Sequence, residues 1–159
     1  MRKINMEHCM ISKEFNEIID FAINREKEAV KFYQDLQNMV KFSDQKQLLK
    51  DFESMEKGHI IVLQQIQKKG ITSIDVPEVE DLHISDYIVE RPPSEMMSYQ
   101  DILITAMKKE EAAYKLYTDL AGKQSAASEK KLFLKLASEE AKHKLTFEKL
   151  YDDEVLNQY

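Results

Sequence analysis

The chain has 159 residues, 43% of them apolar and 33% charged, with three Gly, three Pro and no Trp, a balance that suits one soluble helical domain over 1–159. Its formal net charge of −6 argues against nucleic acid as a partner, since a phosphate-binding surface needs a basic excess. The single cysteine, Cys9, excludes an internal disulfide or a CxxC site. No apolar run approaches the ~20 residues of a membrane span, and Met1 to Asn5 lacks the apolar core of a secretory signal, so a cytoplasmic location is expected.

Residues 1–11 have no clear periodicity, and His8 and Cys9 read as part of an uninvolved terminus. Ser12 can cap a helix over about 12–40, with Phe15, Ile18, Ile19, Ala22, Ala29, Tyr33, Leu36 and Val40 as its apolar stripe. Ser43 or Asp44 can cap a second helix over 44–69, which Gly70 ends. Its stripe is Leu49, Phe52, Glu56, His59, Leu63 and Ile66. Ser98 with Asp101 opens a third helix over 98–121, with Leu103, Ala106, Glu110, Ala113, Tyr117 and Leu120 on one face. After a turn from Gly122 to Ser125, a fourth helix over 127–151 carries Phe133, Leu136, Glu140, His143, Phe147 and Leu150.

Residues 70–97 contain Pro77, Pro92 and Pro93 and no sustained helical period. Adjacent antiparallel helices need only about 2–8 connecting residues. The second helix spans roughly 39 Å at 1.5 Å per residue, a length this linker can cover. The pattern predicts an all-α four-helix bundle: two helical hairpins joined by a long crossover, with helices two and three parallel. A domain-swapped dimer would use the same linker differently.

The halves repeat. An offset of 84 residues carries Glu26 onto Glu110, Glu56 onto Glu140 and His59 onto His143. It also carries Ala22 onto Ala106, Tyr33 onto Tyr117, Asp35 onto Asp119 and Leu36 onto Leu120. Each hairpin folds about its turn so that one Glu and one Glu-x-x-His lie level at mid-bundle, and the three-residue step sets Glu and His on one helix face.

All six polar residues occupy stripe positions that otherwise hold Leu, Phe, Ala or Tyr. A single Glu there usually reaches solvent, and a lone His is usually a hydrogen-bonded core residue. Four buried carboxylates without counter-charge would each cost several kcal/mol, as an order of magnitude, or take up protons. Two divalent cations balance four carboxylates, and neutral imidazoles complete the ligation without adding charge. Glu26, Glu56, His59, Glu110, Glu140 and His143 are therefore the candidate ligands of a two-metal site. Tyr33 and Tyr117, two turns beyond Glu26 and Glu110, have a ligand carboxylate within reach of their hydroxyls. Glu28, Glu53, Glu111 and Glu139 lie off the stripe and read as solvated, and His83 reads as surface.

The two motifs A-x3-E-x6-Y and E-x2-H, each present twice, resemble the ferritin-like superfamily of di-iron carboxylate bundles and, within it, the rubrerythrin family. The resemblance covers about 12–151. It implies two iron ions, which zinc or manganese could replace, with Glu56 and Glu140 bridging and Glu26 and Glu110 more terminal. His59 would serve one metal and His143 the other. It implies an oxidoreductase that reduces hydrogen peroxide, or oxygen, while the irons cycle between diferrous and diferric states. The chain as given carries no rubredoxin-like four-Cys domain, so electrons are expected from a separate donor protein. The further Glu that the family places three residues after the third-helix ligand, and uses in peroxide turnover, is here Ala113. Iron oxidation and storage, an oxygen-dependent hydroxylase, and a bundle with structural zinc use the same ligand types. By analogy with the superfamily, a homodimer is expected.

Overall fold

The computed structural model describes residues 11–71, 76–87 and 97–154. His8, Cys9, Pro92 and Pro93 lie outside them. Four helices account for most of the described chain: α1 (Lys13–Gln37), α2 (Ser43–Lys69), α3 (Tyr99–Gly122) and α4 (Ala127–Glu154). Among the described residues there is no strand, and no helix is long and apolar enough to cross a membrane.

The caps follow the local chemistry. Ser12 Oγ accepts from the Phe15 amide at 3.1 Å. Ser98 and Asp101 form a reciprocal capping box at the start of α3. Gly70 ends α2 at φ 77°, where a side chain would be strained, and its N–H bonds Ile66 O at 2.9 Å. Several boundaries differ from expectation: α4 runs on to Glu154 rather than ending at 151, and α3 lies one residue later at each end. α1 stops at Gln37 rather than Val40, because the Asn38 N–H turns back to Asp35 and Leu36; Val40 still enters the core from the connection. α2 begins at Ser43 behind Phe42, with no side-chain cap, so neither Ser43 nor Asp44 holds the expected position.

The buried apolar residues divide into two clusters. Phe15, Ile19, Leu63, Ile66, Tyr117, Phe133 and Leu136 fill one end, and Leu36, Leu49, Phe52, Leu103, Met107 and Phe147 the other. The N-terminal halves of α2 and α3 share the second cluster, so these helices are parallel while each hairpin is antiparallel. Gln34 and Gln37 of α1 donate to Glu53 of α2 at 2.8 Å, and Gln67 donates to Asp20 at 2.6 Å, fixing the register of the first hairpin. Between the two apolar clusters lies a slab of Glu and His.

The crossover packs on the outer groove of α3 and α4. Ser138 Oγ donates to Pro77 O at 2.9 Å, Lys144 Nζ to Asp81 at 2.8 Å, and the Ile84 amide to Glu148 at 2.6 Å. The partners on α4 ascend from 138 to 148 as the crossover advances, so it runs alongside α4 toward the start of α3. A 3-10 turn, Ile84–Tyr87, closes the described part. His83, beside it, is 64% exposed and bonds Asp86, as its surface reading requires.

This packing corrects one expectation. Glu111 is not solvated: it is buried beneath the crossover, accepts from Ser85 Oγ at 2.7 Å and faces Lys108 and Lys115. Burial works to raise its pKa, but the Ser85 hydrogen bond and the two lysines outweigh it and hold the carboxyl below its ordinary range. Glu53 and Glu139 are half-buried and paired with lysines, and Glu28 is exposed. Lys144, buried between Asp81 and Glu148, is the centre of the contact. Lys144→Met is expected to cost about 1–3 kcal/mol, less than a fully buried pair because Asp81 reaches solvent. Urea unfolding measures that loss, and unchanged stability would show that the crossover is held without this lysine.

Candidate metal centre

The six candidate residues converge. Glu26, Glu56, His59 and Glu140 each bring one oxygen or nitrogen to a common point, within 4.8 Å of one another, and Glu56, Glu110, Glu140 and His143 do the same beside them. Glu56 and Glu140 belong to both groups. Each group also has a carboxylate and an imidazole of its own, so the 84-residue repeat becomes a near two-fold arrangement in space.

Each side chain is positioned by its helix face and the packing above and below. His59 Nδ1 lies 3.1 Å from Glu56 and Glu140 and 3.5 Å from Glu26. His143 Nδ1 lies 3.1 Å from Glu56 and 3.5 Å from Glu110 and Glu140. The two imidazoles are nearly parallel with centroids 5.7 Å apart, and the Phe52 ring meets His143 edge-on at 5.1 Å. Phe52 also stacks on Phe147 at 4.3 Å, which ties the imidazole orientation to the apolar core.

The tyrosines cross between the hairpins. The Tyr33 hydroxyl donates to Glu110 Oε1, and the Tyr117 hydroxyl donates to Glu26 Oε1. Both phenols are pushed well above their ordinary pKa by burial and the neighbouring carboxylates, so they stay protonated and serve as donors. Each α1–α2 or α3–α4 pair therefore orients a carboxylate of the other. Tyr33→Phe leaves Glu110 without its donor and is expected to weaken a metal at the Glu110–His143 position by about 10–100-fold. Tyr117→Phe should weaken the Glu26–His59 position instead. A two-step metal titration distinguishes them; equal weakening of both steps would mean that the hydroxyls do not act on separate positions.

The electrostatics are those of a site with too much negative charge. Burial raises Glu26 to about 7, and burial with the charge of Glu140 raises Glu110 to about 8. Burial and Glu110 also work to raise Glu56, but hydrogen bonds from His143 and His59 outweigh them and lower it. Burial opposes the charged form of both histidines, yet the surrounding carboxylates push His143 up to about 12 and His59 further still. Protons thus supply the positive charge that cations would otherwise bring. Oε2 of Glu110 and Oε1 of Glu140 are buried and accept no well-formed hydrogen bond. Oxygen and imidazole donors at this spacing, with buried lone pairs to spare, fit divalent metal ions.

A cavity of about 200 Å³ opens between α1 and α3 onto this centre. Glu26, Glu56, Glu110 and Glu140 line it, with Ala29, Ala113 and Tyr117, but neither histidine does. The centre is therefore approached from the carboxylate side. The small side chains of Ala29 and Ala113 leave this opening in its wall.

The rubrerythrin family model matches residues 101–158, which take in nearly all of α3 and all of α4 with Glu110, Glu140 and His143. The match is consistent with a rubrerythrin-like member of the ferritin-like proteins. It covers less than half of the chain, and the first half of the centre stands on its own geometry. Comparison with curated proteins and with solved structures gave no match.

Proposed function

We propose that this protein is a non-haem di-iron oxidoreductase of rubrerythrin type, reducing hydrogen peroxide, or oxygen, with electrons from a separate donor. The observation that carries the reading is the pair of four-residue groups sharing Glu56 and Glu140. In this reading Glu56 and Glu140, which belong to both groups, would serve both ions, Glu26 and His59 would complete one position, and Glu110 and His143 would complete the other. When bound, two irons supply the two electrons that reduction of an O–O bond requires.

The remaining roles belong to the chain. The two apolar clusters keep water from the centre at its two ends along the bundle, which strengthens the charge interactions inside it. Tyr33 and Tyr117 hold Glu110 and Glu26 by their Oε1 atoms and leave the second oxygen of each carboxylate to a metal. The Ala29–Ala113 opening admits substrate on the side away from the imidazoles.

The test is metal analysis of protein purified without oxygen, followed by absorption spectra under peroxide and under air. About two irons per chain, oxidised faster by peroxide than by air, is the expected result. Faster reaction with air would move the reading to oxygen chemistry or iron storage. Zinc alone, or no metal, would overturn it.

A further inference from the structure

The cavity is larger than peroxide needs, and its two walls are not equivalent. At about 200 Å³ it offers the space of several waters, each of which takes about 30 Å³ in the liquid. The repeat makes the cause visible. Ala29 and Ala113 are equivalent under the 84-residue offset, and each stands one helical turn beyond its carboxylate, Glu26 or Glu110. Two small residues facing each other across one groove leave the space open.

The same offset pairs Arg25 with Lys109, each directly before its carboxylate and each lining the cavity. On α1 the cation is cancelled: Arg25 bonds Glu28 at 2.7 Å. The counterpart of Glu28 on α3 is Ala112, also in the cavity wall. Lys109 accordingly makes no ion pair among the described residues; its ammonium lies 5.7 Å from the centre of the Phe32 ring. The mouth of the cavity thus has one uncompensated cation on the α3 side, beside a space bounded by alanines and Leu116.

We infer that this cavity binds a small organic carboxylate, with the Lys109 ammonium drawing its charge in at the mouth and the Ala29–Ala113 space receiving its short apolar body. The inference rests on the di-metal reading, because four carboxylates without cations would repel an anion, whereas two divalent ions make the floor neutral. The Phe32 ring face attracts the Lys109 ammonium without cancelling its charge. An uncharged molecule such as peroxide would use the space without needing the lysine.

The experiment uses the full chain loaded with cobalt(II), whose visible absorption changes when an anion enters its surroundings. Metal content is measured first, and acetate and butanoate are then titrated. The expected result is a saturable spectral change with both anions in protein holding two cobalt ions. Lys109→Gln should weaken both anions by roughly tenfold or more. Ala112→Glu, at an exposed position that restores the pairing seen on α1, should do the same. Ala113→Leu should abolish butanoate binding and spare acetate. Protein with two cobalt ions that shows no change with either anion, or whose binding ignores all three substitutions, overturns the inference while leaving the metal centre standing. Protein that binds no cobalt overturns both.

Discussion

Glu56→Ala is expected to abolish binding of both metal ions, whereas Glu26→Ala should remove only one. The difference follows from membership: Glu56 contributes an oxygen to each four-residue group, and Glu26 to one. Replacing a residue that merely supports a ligand typically costs about 10–100-fold in affinity, so loss of a shared ligand should exceed that at both positions. Folding should survive. Glu56 is 1% exposed and lies 3.1 Å from both His59 and His143, so its loss is expected to lower the stability of the metal-free chain while the two apolar clusters keep the helices together. Metal analysis together with far-ultraviolet circular dichroism decides the matter. A Glu56→Ala protein that is helical and still holds two ions would rule out a bridging role, and equal losses in the two variants would argue against two overlapping positions.

The second expectation concerns pH, and its sign is opposite for metal-free and metal-loaded protein. Glu26 and Glu110 carry folded-state pKa values of about 7 and 8 against an ordinary 4.5, raised by burial. Their protonated forms favour the folded chain fully below the ordinary value, and that contribution is lost as pH rises through 7 to 8. His143 is raised from 6.5 to about 12 and His59 is raised too, so their contribution is whole below 6.5 and declines as pH rises above it. Between pH 5 and pH 9 the folded chain therefore holds more protons than the unfolded one. Each extra proton lowers stability by about 1.4 kcal/mol per pH unit. Glu56, whose pKa is lowered, acts only beneath its ordinary 4.5 and does not offset this trend. Metal ions displace these same protons, so their binding tightens as pH rises. Thermal unfolding at pH 5, 7 and 9, with chelator and with metal, should give a metal-free stability that falls and a gap between the two forms that widens. Metal-free stability that is flat or rises with pH would mean that the six residues do not share protons in the folded state.

Much of this molecule is legible along the chain because a helix has one period and a bundle one interior. The three- and four-residue spacing of Phe15, Ile19, Ala22, Glu26, Ala29 and Tyr33 states which face is inward, and a polar residue on that face is conspicuous. The constant offset between halves, with each hairpin folding about its own turn, brings the six ligand candidates to one height without knowledge of any contact. Tyr33 and Tyr117 could be seen to have a carboxylate within reach, but not whose. Their partners lie in the opposite hairpin, and the relative placement of two hairpins is a matter of how their faces pack.

Periodicity also cannot see a layer added from outside. Glu111, Lys144 and Glu148 sit off the inward stripe, and their burial arises only because an aperiodic crossover lies on the outer groove of α3 and α4. Among the described residues no such segment lies on the equivalent surface of α1 and α2, and there the polar pairs of Gln34, Glu53 and Lys57 remain near solvent. The cavity is of the same kind: alanines at 29 and 113 are unremarkable in either helix and become an opening only where the two face each other. Sequence alone determined the helices, their inward faces and the six residues set at one level, because these depend on local spacing and a repeat. Tertiary structure decided which atoms are shared, which tyrosine serves which carboxylate, what the crossover buries and where the centre opens, because each depends on a contact between elements far apart in the chain.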